Sequence, residues 1–77
     1  MRLDKYLKVS RIIKRRTVAN EACDAGRVVV NGKIARASYD VKVNDVIELT
    51  LGARTVKARV VSVNEYAKKD EAAMMYE

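Results

Sequence analysis

The sequence contains no histidine, no proline, no tryptophan and no phenylalanine, and it has a single cysteine. Without histidine there is no Ser–His–Asp or Cys–His nucleophilic arrangement, and most zinc sites are excluded. One cysteine rules out an internal disulfide and points to a reducing compartment. Cys23 itself falls on the apolar stripe of a short helix and reads as core packing. The three glycines, Gly26, Gly32 and Gly52, sit at cap or turn positions, so no glycine loop cradles a phosphate. No apolar run approaches the 18 or so residues of a membrane span. The start Met1-Arg2-Leu3-Asp4-Lys5 is charged at once, with no apolar stretch after it, so no secretory leader is expected. Asp40, Asp45 and Glu48 read as turn and strand-surface carboxylates, not as an acid–base pair. The expectation is a cytoplasmic protein that is not an enzyme and holds no metal or cofactor.

With 77 residues the chain makes one domain at most. What it has in quantity is positive charge, unevenly placed. Net charge is +6, and residues 1–16 alone carry seven cations against Asp4, which equals that whole balance. Residues 17–64 net +2 and residues 65–77 net −2. The densest group is Ser10-Arg11-Ile12-Ile13-Lys14-Arg15-Arg16-Thr17. Four like charges this close repel each other, and a polyanion relieves the repulsion while releasing counterions. RNA, DNA and anionic membrane are the candidate partners.

Arg2–Val9 reads as a helix, with Leu3, Tyr6 and Leu7 at i, i+3, i+4 on one face. Arg2, Lys5 and Lys8 form a neighbouring basic stripe that runs into the Arg11–Arg16 cluster. Ser10–Arg16 reads as a turn anchored by Ile12 and Ile13, one or both buried. Thr17 is expected to cap a second helix, Val18–Ala25, with Gly26 at C′. Ala19, Ala22 and Cys23 form its apolar stripe. That helix carries two acids and no cation, which makes it a poor major-groove reader and argues against a DNA-binding helix-turn-helix. The first helix has too few large apolar residues to insert into a membrane surface.

The rest of the chain is punctuated as strands. Arg27–Val30 and Lys33–Ala37 flank Asn31-Gly32, a type I′ hairpin signal. Val43-Asn44-Asp45 reads as a turn with Asn44 in the left-handed region. Val46–Leu51 and Arg54–Val63 are strands around Gly52-Ala53. Residues 64–77 read as an acidic tail, either a short helix over Glu71–Tyr76 or frayed. The fold class is α+β: two short N-terminal helices packed on a small, mainly antiparallel sheet, over residues 1–63. Tyr6 reads as core edge in preference to base stacker, and four scattered tyrosines make no stacking platform. Recognition is therefore expected to rest on phosphate and RNA shape.

The ordered pieces Arg2-Leu3-Asp4-Lys5-Tyr6-Leu7, Ser10-Arg11, Arg15-Arg16-Thr17, Ala25-Gly26-Arg27-Val28, Val30-Asn31-Gly32-Lys33 and Val41-Lys42-Val43-Asn44-Asp45-Val46-Ile47 resemble the S-four RNA-binding domain. That domain is named after the fourth protein of the small ribosomal subunit. Asn44 stands where the family usually has glycine. Carried over residue by residue, the resemblance implicates Arg2, Lys5, Lys8, Arg11, Lys14, Arg15, Arg16 and Thr17 in RNA binding, with Asn31 and Lys33 as weaker candidates. The start of the chain, Ile13-Lys14-Arg15-Arg16-Thr17, and Lys68-Lys69-Asp70-Glu71-Ala72-Ala73 with Met75-Tyr76 are similar to small bacterial ribosome quality-control factors. This resemblance implies a stand-alone, monomeric factor that contacts large-subunit ribosomal RNA and stabilises peptidyl-tRNA. It also implies cooperation with a tRNA-recruiting factor that adds C-terminal alanine tails to stalled chains. The alternatives are a heat-shock-type factor that recycles blocked large subunits, and an accessory module of an RNA-modifying enzyme. Arg16→Ala is expected to weaken RNA binding with little loss of stability.

Overall fold

The computed structural model describes residues 1–63, 69–72 and 74–77. Helix α1 spans Leu3–Val9 and α2 spans Arg16–Asp24. Strands β1 (Val28–Val30), β2 (Lys33–Ile34), β3 (Val46–Leu51) and β4 (Arg54–Arg59) follow, then a one-turn helix α3, Lys69–Ala72. The sheet is antiparallel throughout, in the order β2-β1-β3-β4.

The apolar face of α1 forms as its spacing requires. Leu3, Tyr6 and Leu7 have no solvent exposure. Each large side chain so buried contributes about 1.5–3 kcal/mol. α2 meets α1 through Ala19, Ala22 and Cys23, whose small side chains let the two backbones approach. In the turn that joins the helices Ile13 is buried in the core, and Ile12 is partly buried against it. From the sheet, alternate residues Val28, Val30, Ile47 and Leu49 complete the core.

The turns follow their local chemistry. Asn31 (φ 53°) and Gly32 (φ 83°) both lie in the left-handed region, which defines the type I′ hairpin. Asn44 (φ 77°) occupies that region without glycine. Its amide donates to the Val60 carbonyl and its side chain accepts from Arg59.

Four boundaries differ from the sequence expectation by two residues or more, and the first helix, the end of the second and the first strand by one. The second helix begins at Arg16, not Val18, and Thr17 is not its cap. Arg15 takes the N-cap position in an extended conformation, and its carbonyl accepts from the Ala19 amide. The early start has a physical cause: it swings Arg16 and Asn20 onto Asp4 of α1. The second hairpin strand is only Lys33–Ile34, because the chain then leaves β1 to run beside the start of α1. There the amides of Leu3 and Asp4 donate to the carbonyls of Tyr39 and Ala37. β4 ends at Arg59, because the Val60 amide donates to Asp45 O and its carbonyl accepts from the Asn44 amide, while Tyr76 bridges to Val60 and the Val61 amide donates to Met75 O. Finally, the terminal helix is Lys69–Ala72; Met74 and Met75 turn back on it through bonds to Glu71 O and Ala72 O, and Tyr76 bridges to Val60. Met75 is buried, and its carbonyl accepts from Tyr6 Oη at 2.7 Å and from the Val61 amide at 2.7 Å. Tyr66 lies outside the described residues.

Candidate nucleic-acid interface

The basic face is built on one buried carboxylate. Asp4, on the first turn of α1, is 2% exposed. Its Oδ1 accepts from the Lys5 amide at 2.8 Å and from Arg2 Nε at 3.2 Å. Its Oδ2 accepts from Asn20 Nδ2 at 3.3 Å, Arg2 Nη2 at 3.4 Å and Arg16 Nε at 3.5 Å. Burial pushes this carboxyl upward. The bonds from Asn20, Arg2 and the Lys5 amide, with the charge of Arg16, outweigh burial and hold it below the usual carboxylate value. Asp4 is therefore ionised at neutral pH, with both oxygens occupied.

The arginines around it are poised outward. Side-chain exposure is 51% for Arg2 and 49% for Arg16. In the described contacts Arg16 reaches Asp4 through Nε alone, which leaves its two Nη groups for a phosphate. Arginine suits this task, since its planar fork can bond a carboxylate on one edge and a phosphate on the other. Thr17 and Asn20 join Arg2, Asp4 and Arg16 in lining a shallow depression at this point.

The remaining cations cluster at the other end of α1. Lys8, Arg11 and Lys14 line an open cleft of about 380 Å³. Arg11 stands just past the helix in the left-handed conformation, φ 64°, a position that glycine usually fills. Its amide closes onto Lys8 O, and the Ile13 amide closes onto Leu7 O. This hooked turn aims the chain from Lys8 back past Lys14 and sets three cations around one opening. Arg15 is exposed at the N-cap of α2.

The hairpin residues Asn31 and Lys33 line neither of these two openings. Asn31 uses both side-chain groups internally: Nδ2 donates to Asp45 at 2.9 Å and Oδ1 accepts from the Val46 amide at 2.9 Å. Lys33 lines a separate groove with Arg36 and Tyr39. Tyr6 is fully buried and hydrogen-bonded, so it is core and cannot stack on a base. Its hydroxyl is pushed up to about 12 by burial and by Tyr76. Burial, with Asp4 and Asp24, likewise raises the Cys23 thiol to about 11, so it is unreactive at neutral pH. The three sequence-weighed carboxylates serve local structure. Asp40 pairs with the N-terminal ammonium at 2.8 Å, Asp45 ties the hairpin to the turn before β3, and Glu48 faces Lys57 across the strands.

Sequence reasoning gave roles to the cations and passed over Asp4 and Asn20. The available signal was that Asp4 is the lone anion among seven cations in residues 1–16.

This arrangement of helices, hooked turn and hairpin has relatives. Residues 1–47 match the S4 domain family. The chain belongs to the S4 domain family. Within it, the whole chain is 56% identical to 88% of a Streptococcus pneumoniae R6 protein named RQC P-site tRNA stabilizing factor. A Bacillus subtilis 168 protein of the same name is 51% identical over 76 residues, 99% of this chain and 88% of that protein. Heat shock protein 15 of Escherichia coli K12 is more distant, 34% identical over an alignment that spans this chain and 59% of that protein. Among solved structures, Vibrio cholerae heat shock protein 15 superposes with a TM-score of 0.91 at 28% identity, covering all of this chain and 79% of that one. No described helix of this S4 protein is long and apolar enough to cross a membrane.

Proposed function

We propose that this S4 protein is an RNA-binding factor of ribosome-associated quality control, acting without catalysis, as a cytoplasmic monomer. It docks on large ribosomal subunits that still hold peptidyl-tRNA, contacts ribosomal RNA and the P-site tRNA, and supports alanine tailing of the stalled chain by a tRNA-recruiting partner. The carrying observation is the cationic surface of α1, the hooked turn and the start of α2. Arg2 and Arg16 are held outward by buried Asp4 at one end, and Lys8, Arg11 and Lys14 line one cleft at the other. Full-length identity of 51–56% to proteins named RQC P-site tRNA stabilizing factor supports the choice of RNA.

The mechanism is electrostatic docking on a rigid face. The guanidinium and ammonium groups meet phosphates, while Lys5, Arg15 and Thr17 extend the same surface. With about six phosphates neutralised, affinity falls with a log–log salt slope of roughly −4 to −5. A slope shallower than about −1 overturns the electrostatic mechanism.

The deciding experiment is a pull-down of the tagged protein from bacterial lysate at low salt, beside an Arg15→Ala/Arg16→Ala variant. Large-subunit ribosomal RNA with tRNA and a tailing factor, lost in the variant, is the expected result. Large subunits without a tailing factor favour subunit recycling, a second reading supported by the close superposition on heat shock protein 15. Small-subunit RNA, DNA, or no effect of the variant overturns both.

A further inference from the structure

A second opening shares no lining residue with the Lys8–Arg11–Lys14 cleft. It is a groove of about 580 Å³ between the hairpin and the segment that follows it, lined by Val30, Lys33, Ile34, Arg36 and Tyr39 among others. No acidic residue lines it. Ile34, one of the groove's lining residues, is 70% exposed. Among the described residues neither Lys33 nor Arg36 has an ion-pair partner.

The groove is held in shape from behind. Tyr39 Oη donates to Asp45 Oδ2 at 2.9 Å, and Asn31 Nδ2 donates to Asp45 Oδ1 at 2.9 Å. Asp45 is buried and also accepts from the Lys42 amide at 3.0 Å. One carboxylate thus fixes both the tyrosine and the hairpin. The same segment is stitched to the basic face, since Tyr39 O accepts from the Leu3 amide and Ala37 O from the Asp4 amide. Arg2 and Asp4 therefore begin where the groove ends.

An apolar and aromatic lining, with two unpaired cations at its rim and no acid, has the chemistry of a nucleotide site. The base finds a hydrophobic or planar surface, and its phosphates find charge. Paired bases inside a duplex cannot present a ring face to such a groove; unpaired ones can. We infer that the groove formed by Ile34, Tyr39, Lys33 and Arg36 takes one unpaired nucleotide of the RNA whose phosphates lie on the α1–α2 face. This rests on the RNA-binding function proposed above. It adds a contact that reads single-strandedness to a surface that otherwise reads phosphate.

The test compares two RNA hairpins of equal phosphate number, one blunt and one with a short unpaired 3′ tail, by fluorescence anisotropy on the full chain. The wild-type protein is expected to bind the tailed hairpin about tenfold tighter, the size of one base-stacking contact. The variant Ile34→Ser/Arg36→Ala is expected to bind both hairpins equally, at about the wild-type affinity for the blunt one. Both positions are exposed, so its melting temperature stays near wild type. Arg15→Ala/Arg16→Ala is expected to weaken both hairpins alike. Equal wild-type affinity for the two hairpins overturns the nucleotide site and leaves the groove to a protein partner. Equal loss on both hairpins in the groove variant also overturns it, reducing Arg36 to general charge. Failure of the wild-type protein to bind either hairpin overturns the RNA-binding function itself.

Discussion

Among the described residues two carboxylates are buried, one in each half of the fold, and they do different things with similar chemistry. Asp4, in the helical half, is surrounded by Arg2, Arg16, Asn20 and a backbone amide. Asp45, in the sheet half, is surrounded by Asn31, Tyr39 and a backbone amide, all neutral. Both are held below the ordinary carboxylate value; burial opposes this and hydrogen bonds overcome it in each case. The partners decide the outcome. Neutral partners let Asp45 fasten loops together, which is a matter of stability. Charged partners let Asp4 orient cations whose other edges face solvent, which is a matter of recognition.

Acid tests both at once and gives the largest effect. A carboxyl whose folded pKa is depressed contributes stability that is fully present above its unfolded value, 3.8 here, and lost as pH falls through the lower folded value. The melting temperature is expected to stay level from about pH 7 to 5 and to drop below about pH 4. Asp4→Asn and Asp45→Asn should each flatten that drop, as followed by circular dichroism.

Single substitutions then separate the two halves. Asp45→Ala leaves Asn31 and Tyr39 without their acceptor and is expected to cost about 2–4 kcal/mol in urea unfolding. Affinity for the blunt RNA hairpin, measured well below the melting temperature, should change less than about twofold, because no cation of the α1–α2 face is reoriented. A large loss of binding in the folded variant would erase the distinction between the two carboxylates.

Arg16→Ala is expected to show the converse. Affinity should fall roughly tenfold, as for one charge-assisted phosphate contact, and the salt slope should become shallower by about 0.7–0.9. The pair with Asp4 changes the stability expectation from none to a small loss, within about 1 kcal/mol for a half-exposed partner.

Asp4→Asn sharpens the contrast, because charge counting and orientation predict opposite signs. The substitution makes the face more positive by one, which alone would tighten RNA binding. Loss of the anionic anchor frees Arg2 and Arg16 to wander, and affinity is expected to fall about three- to fivefold. Tighter binding in a filter assay would reduce Asp4 to a fold determinant like Asp45.

Arg11→Gly gives the smallest effect. The left-handed backbone at φ 64° strains any residue with a Cβ, so glycine is expected to raise stability by up to about 1 kcal/mol. RNA affinity should fall about twofold to threefold for the lost cation. A stabilised protein with weaker binding would show that the hooked turn keeps arginine for its charge.

The helical half was legible in the sequence where periodicity rules. Leu3, Tyr6 and Leu7 stand on the buried face their spacing gives, and Ala19, Ala22 and Cys23 do the same on α2. Asn31-Gly32 specified its hairpin because only residues tolerant of positive φ form that turn. Legibility ended where two distant segments decide a boundary together. Thr17 has the chemistry of a cap, yet the helix starts earlier, because Arg16 and Asn20 gain Asp4 when it does. The pattern of β4 reads longer because Val60 continues its alternation; the distant turn at Asn44-Asp45 bonds both backbone groups of Val60 instead, and Tyr76 bridges to it.

The sequence by itself determined the sign and the place of the charge. Seven cations in sixteen residues give a basic N-terminal region in any fold, since charge density along a chain needs no tertiary contact. The periodic apolar residues likewise determined which face of each helix turns inward. Only the tertiary structure decided which cations act as fixed groups. It folded the lone anion of that region inward, brought an asparagine and an arginine from the next helix onto it, and left both guanidinium groups half in water. A buried carboxylate must be satisfied by whatever donors surround it. Those donors come together in space from positions as far apart as residues 2 and 20, a relation that local pattern does not encode.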